Sequence, residues 1–274
     1  MEGKFLGKVF ILTLLYFFVE FIGGIYYNSL ALLTDSLFML GNIFGQFLAI
    51  LIHHVSKRPA DDVMTFGYER VQVISALING FIVGIMIFYV WIESYKKILN
   101  PEPIQELNVL VIAIIGLFVN IVNIFQIFSF RDKIHLKGVM ISILNDLLGS
   151  LSVLLSSVVI YFTKLYQIDA IVSFFMSLLM VYPVYNLIRE SLLILLDAAP
   201  LHLTKDKVEK FIKENVPIIS SVKSIHVWQI TSGKTVLVAS IEMKEFRLDA
   251  INNLKSLLLK NFGLSEVYID IVGG

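Results

Sequence analysis

Cysteine is absent from the 274 residues, so disulfides, thiolate metal sites and cysteine nucleophiles are excluded, and the redox compartment is left open. Charge is scarce as well: 16% of the residues are Asp, Glu, Lys or Arg, against roughly a quarter in soluble globular domains. The formal charges cancel, which leaves no electrostatic footprint for nucleic acid. No H-E-x-x-H, G-x-S-x-G or phosphate-cradling motif is present, so the enzyme classes these announce are set aside. What remains is apolar: 57% of the chain, with a mean hydropathy of +0.81. That composition is a membrane protein's.

Taking about 20 apolar residues as a bilayer crossing, the sequence predicts six spans, over 6–26, 30–52, 71–95, 107–129, 138–163 and 168–195. The first run starts almost at Met1 but is long and lacks a small-residue cleavage site, so it reads as a retained span, not a signal peptide. Basic residues of the short loops set the orientation. Lys4, Lys8, Lys57, Arg58, Arg70, Arg131, Lys133 and Lys137 fall on one side, against Lys96, Lys97 and Lys164 on the other. Both termini are therefore expected in the cytoplasm.

From about Pro200 the pattern turns soluble, dividing the chain into a membrane domain over 1–199 and a tail over 200–274. TKDKVEKFIKENV has helical spacing, with Thr204 as N-cap and Asp206 in the first turn. VKSIHVWQI and TVLVASIEM flank the turn TSGK as a β-hairpin, LDAINNLKSLLLKNF is a helix ended by Gly263, and EVYIDIV alternates as a strand. The order αββαβ predicts a small α+β layer, helices on one face of a three-stranded sheet whose other face is open to self-association.

Ionisable groups inside spans cost about 2.5 to 3.5 kcal/mol each and are the default functional candidates. Here they are Glu20, Asp35 and Asp146, with Asn42, Gln46, Asn79, Asn120, Asn123, Ser142 and Asn145 as polar company. Asp35, Phe38, Asn42 and Gln46 share one face of the second span, and Ser142 and Asp146 one face of the fifth. The amides also have a plainer reading as hydrogen bonds between helices. His53, His54 and His135 read as interfacial.

EFIGGIYYNSLALLTDSLFML, KRPADDVMTFGYERVQVI, NDLLGSLSV, LLDAAP and SIHVWQITSG together resemble the cation diffusion facilitator family of divalent-metal exporters, in its cadmium/zinc branch. The resemblance runs over nearly the whole chain. It implies six transmembrane helices followed by a cytoplasmic, metallochaperone-like (ferredoxin-like) domain that dimerises, and export of a divalent cation, usually Zn2+, in exchange for protons. No tightly bound cofactor is expected. Partners are the membrane and a second copy or a homologue, joined through the C-terminal domain.

Set against the family's pattern, the membrane site departs from it. His-x-x-x-Asp on the second span falls on Phe38 and Asn42, and His-x-x-x-Asp on the fifth falls on Ser142 and Asp146. At a second family site Asp61 is kept, but Met64 and Tyr68 stand where histidines are implied. In the tail His226 is kept, while implied metal positions fall on Lys223, Ser224, Ser240 and Glu266. Asn42, Ser142 and Asp146 offer oxygen ligands and one negative charge, and Asp35, one turn from Phe38, would restore a second carboxylate if the helix rotates. Such a set suits harder ions such as Mn2+ better than Zn2+, with Fe2+, Co2+ and Cd2+ as further candidates. With no site histidine, proton coupling would have to pass through Asp35, Asp146 or Glu20. The competing expectation is a transport-silent partner subunit in which Phe38 fills the site.

Overall fold

The computed structural model describes residues 2–128, 137–200 and 202–272, with side chains over 10–125, 144–200 and 202–272. Six apolar helices lead: α1 Glu2–Tyr26, α2 Leu30–Ser56, α3 Val71–Leu99, α4 Glu106–Phe128, α5 Lys137–Thr163 and α6 Gln167–Leu195. Among the described residues, α2 to α6 are long and apolar enough to cross a membrane, and α1 adds the apolar run Phe10–Tyr26. Several helices overrun the expected spans, because a helix need not stop where hydropathy does. α2 continues through exposed His53 and His54, and α3 through Lys96 and Lys97.

The chain divides into two compact units, Met1–Leu48 with Ile78–Asn186, and Ala49–Leu77 with Leu187–Gly274. In the first, α4 packs on α5 and α1 on α4. Its core gathers Tyr16, Phe17, Leu32, Phe38, Met39, Ile112, Val153 and Met176. Polar groups are buried beside them, including Glu20, Asp35, Asn120, Asp146, Ser150 and Asp169. Large apolar side chains such as Phe18, Ile85, Phe88, Phe118 and Phe162 point outward. Hydrocarbon accepts that exterior without cost, whereas polar groups must turn inward to find partners.

One end of this unit is pinned by Asp169, at the start of α6. Its carboxylate accepts the Ser29 hydroxyl at 2.7 Å and the N–H groups of Leu30 and Ala31 at 2.5 and 3.2 Å. An anion thereby satisfies the free donors at the N-terminus of α2. Beside it Asn28, held at φ 59°, receives Lys97 Nζ on both its backbone and side-chain oxygens, at 2.7 and 2.6 Å.

The second unit carries α7 Lys205–Asn215, β1 Ile219–Thr231, β2 Lys234–Met243, α8 Leu248–Phe262 and β3 Glu266–Ile271. The sheet order is β1-β2-β3, with β2 antiparallel to β1 and parallel to β3. Gly233 at φ 91° makes the hairpin turn and Gly263 at φ 62° ends α8, backbone conformations that a side chain would strain. Leu237, Ala239 and Ile241 of β2 pack with Val208 and Ile212 of α7 and Leu254 and Leu258 of α8. Strand alternation sends His226, Trp228 and Glu266 to the opposite face. Thr204 precedes α7 in extended conformation, but its side chain makes no capping bond.

Candidate cation site

Asp35 and Asp146 come together from α2 and α5. Both are almost wholly buried, at 3% and 8% exposure. Asn42, two turns along α2 from Asp35, donates its amide to Asp146 Oδ1 at 3.4 Å. Ser150, one turn along α5 from Asp146, donates its hydroxyl to Asp35 Oδ2 at 3.2 Å and receives the Asn120 amide from α4 at 3.1 Å. The other Asp35 oxygen lies against the backbone at Gly149, where a Cβ would overlap the carboxylate. Glycine at 149 is thus what lets this acid reach α5.

A cavity of about 100 Å³ opens beside these groups, lined by Asp35, Phe38, Asn145, Asp146, Leu148, Gly149, Ser152 and, from α6, Met176, Leu179, Met180 and Pro183. The volume well exceeds the roughly 10 to 15 Å³ that a single enclosed water needs. Pro183 sits inside α6 and has no N–H for the carbonyl of Leu179 four residues earlier. One backbone oxygen on the cavity-lining stretch therefore lacks its helical partner.

Glu20 of α1 is fully buried, with its carboxyl within hydrogen-bonding reach of that of Asp35 and near enough to Asp146 to interact electrostatically. Tyr16 donates its hydroxyl to Glu20 Oε1 at 2.5 Å, while Glu20 Oε2 receives no donor group. None of the three acids is ion-paired among the described residues. Nor does any group of three or more His, Asp or Glu among those residues stand arranged to hold a metal ion. An entering ion would have to draw the carboxylates inward.

The other expected site residues are placed differently. Ser142 lies on α5, but its side chain falls outside the described residues, as does His135 altogether. Gln46 is exposed, so the shared stripe read along α2 turns away from the interior beyond Asn42. Asn123 bonds Thr13 at 3.3 Å, the helix-to-helix role expected of the amides. Asp61 is exposed, and its oxygens are taken up locally by the N–H groups of Val63 and Met64, at 2.9 and 2.7 Å, and the Tyr68 hydroxyl at 2.6 Å. The Met64 N–H, then Tyr68 and Val63, hold this carboxyl below the usual Asp range. His226 and Glu266 stand on strands separated by β2 and opposite different β2 residues, Val238 and Val236, so they do not meet. Tyr268 donates to Glu266 at 2.6 Å.

Sequence reasoning missed Asp169, Gly149 and Pro183. Asp169 was concealed by its position at the polar start of a span. Gly149 carried a usable signal, since it lies three residues from Asp146 on a helix, and small residues mark close approach.

The Cation efflux transmembrane domain family matches residues 8–196. The metal cation efflux system protein CzcD of Cupriavidus metallidurans is 29% identical over 263 residues, covering 94% of this chain and 83% of that protein. Zinc transporter ZitB of Pectobacterium atrosepticum is 27% identical over 273 residues, 98% of this chain and 85% of its own. A cadmium, cobalt and zinc/H(+)-K(+) antiporter of Bacillus subtilis is 29% identical over 231 residues, covering 83% of this chain and 74% of the antiporter.

Proposed function

Because the chain belongs to the cation efflux family, we propose that it exports a divalent metal cation across the cell membrane through a site built on Asp35, Asn42 and Asp146, with Ser142 one turn before Asp146. The observation that carries this reading is the small cavity on which Asp35 and Asp146 converge from α2 and α5. Their two negative charges would offset a divalent ion where water is scarce. The relatives are named for zinc, cadmium and cobalt. Here the carboxylate, amide and hydroxyl donors at the site favour oxygen-seeking ions such as Mn2+, while the thioethers of Met176 and Met180 also line the cavity as softer donors.

In this reading residues 1–199 carry transport, residues 200–274 pair two subunits in the cytoplasm, and both termini are cytoplasmic. Asp61, His226 and Glu266 are secondary contact points for metal at most, since their carboxylates and strands do not converge. Exchange against protons, the coupling in the antiporter relative's name, belongs to the reading. A transport rate unmoved by an imposed pH gradient would remove it. Uptake of Mn2+, Zn2+, Fe2+ and Co2+ into vesicles containing the purified protein tests the whole: uptake is expected for at least one ion and lost in Asp146→Ala. Uptake unaffected by that change overturns it.

One observation favours a second reading, a transport-silent partner subunit. At two positions where the resemblance implies ligands, this chain has donor side chains: Asn42 bonds Asp146, and Tyr68 bonds Asp61. Each remaining carboxylate is thus served without an ion. Metal-stimulated uptake by the protein alone excludes this alternative.

A further inference from the structure

Glu20 stands apart from the other buried acids in how its oxygens are served. Asp169 is equally hidden, at 2% exposure, yet its carboxylate receives three donors and closes a helix end. That is what a structural carboxylate looks like. Glu20, at 0% exposure, receives one hydroxyl on Oε1 and no donor group on Oε2, and its carboxyl lies within hydrogen-bonding reach of the Asp35 carboxyl. Its nearest charged neighbours are Asp35 and Asp146, both acids.

A packing role does not explain that choice. An apolar side chain at 20 would fill the same volume without desolvating a carboxyl, and an amide would answer Tyr16 without adding repulsion to Asp35. Like charges crowded in a medium of low dielectric are costly unless a proton or a cation is shared among them. Two adjoining carboxyls with no cationic side chain beside them mark a place where a proton or a metal cation must be shared.

We infer that Glu20 is a third carboxylate ligand of the transported cation, joining from α1, through its contact with Asp35, the cavity that Asp35 and Asp146 line. This rests on the export reading above. It also changes the arithmetic of the site: the negative charge lost where Asn42 and Ser142 replace an acid and an imidazole is restored from a different helix. Tyr16 is then a positioning residue, its hydroxyl fixing one Glu20 oxygen so that the other stays available. The Ile112 carbonyl of α4, at 3.2 Å, is the alternative acceptor for the same hydroxyl proton. The cation such a chamber takes is divalent and oxygen-preferring, with Mn2+ the natural probe.

The test uses the full-length protein in detergent micelles, with Mn2+ and then Zn2+ titrated by calorimetry, and dicyclohexylcarbodiimide labelling of buried carboxyls read by mass spectrometry. Saturating Mn2+ is expected to cut labelling at Glu20 about tenfold, and Glu20→Gln to weaken Mn2+ binding about tenfold while size-exclusion behaviour and helicity are retained. Labelling in the unsubstituted protein answers the question even where the variant does not fold. Should Glu20 label equally with and without Mn2+, and Glu20→Gln bind as tightly as the parent while Asp146→Asn does not, the inference is overturned and the export reading stands. If the parent binds neither ion, both fall together.

Discussion

The two units of this chain hide opposite things. In the helical unit Glu20, Asp35, Asp146 and Asp169 are inside while Phe88, Phe118 and Phe162 face out. In the unit carrying the sheet, Leu237, Ile241, Leu254 and Leu258 are inside, and Lys210, Lys213 and Glu214 are outside. The difference teaches which force selects the interior. In water it is apolar area, with about 1.5 to 3 kcal/mol gained per large side chain buried. In hydrocarbon apolar contact discriminates little, and unmet hydrogen bonds and charge decide. A buried acid in the helical unit therefore carries information that a buried leucine there does not.

The contrast can be broken most severely at Asp146. Asp146→Ala is expected to lower vesicle metal uptake by more than about 100-fold while leaving the protein folded, because it removes a charge of the site and no helix contact of comparable weight; parallel uptake and thermal-melt measurements check both halves. In the sheet-bearing unit the expected pattern reverses. Leu237→Ala should destabilise the tail by about 2 to 5 kcal/mol, the cost of a core cavity, visible as faster hydrogen exchange over residues 202–272 and leaving metal binding in the helical unit intact.

A finer probe is Gly149→Ala. Its Cβ would collide with the Asp35 carboxylate, so metal affinity should fall about tenfold with a stability change of about 1 to 3 kcal/mol, as for overpacking elsewhere. A calorimetric titration paired with a melt separates the two. The smallest effect is expected at Asp61, whose carboxyl is held below the ordinary Asp range near 3.8. A depressed folded value means that the order it confers on the 61–68 turn is fully present above that range and is lost as pH falls through the folded value. Amide exchange at Val63 and Met64, followed from pH 6 downward to about 2, reads this directly.

Much of the architecture was legible because its signals are local. Six apolar runs gave six helices, and the strict alternation of EVYIDIV gave β3. Asp146 and Asn42 were legible as partners from helix-face spacing, and they meet. Gln46 obeyed the same spacing and is exposed, since periodicity fixes a face of a helix but not how far along it a neighbour extends. Glu20 could be seen as costly but not as placed. Its hydroxyl partner Tyr16 is at i−4 on the same helix, whereas its approach to Asp35 depends on how α1 and α2 dock. Asp169 was hidden for the same reason, because its partners lie some 140 residues away at the start of α2. The family resemblance named ligand positions but not what replaces a lost ligand. Only side-chain geometry reveals an amide donating to Asp146 and a tyrosine donating to Asp61.

Anomalous scattering from crystals of the full-length protein grown with Mn2+ addresses the site itself. The prediction is a single strong peak inside the helical unit, within coordinating distance, about 2.0 to 2.6 Å, of oxygens from both Asp35 and Asp146. A map with no peak there, with Asn42 still bonded to Asp146 at saturating Mn2+, would contradict it and leave the chain as a family member whose chamber holds no cargo.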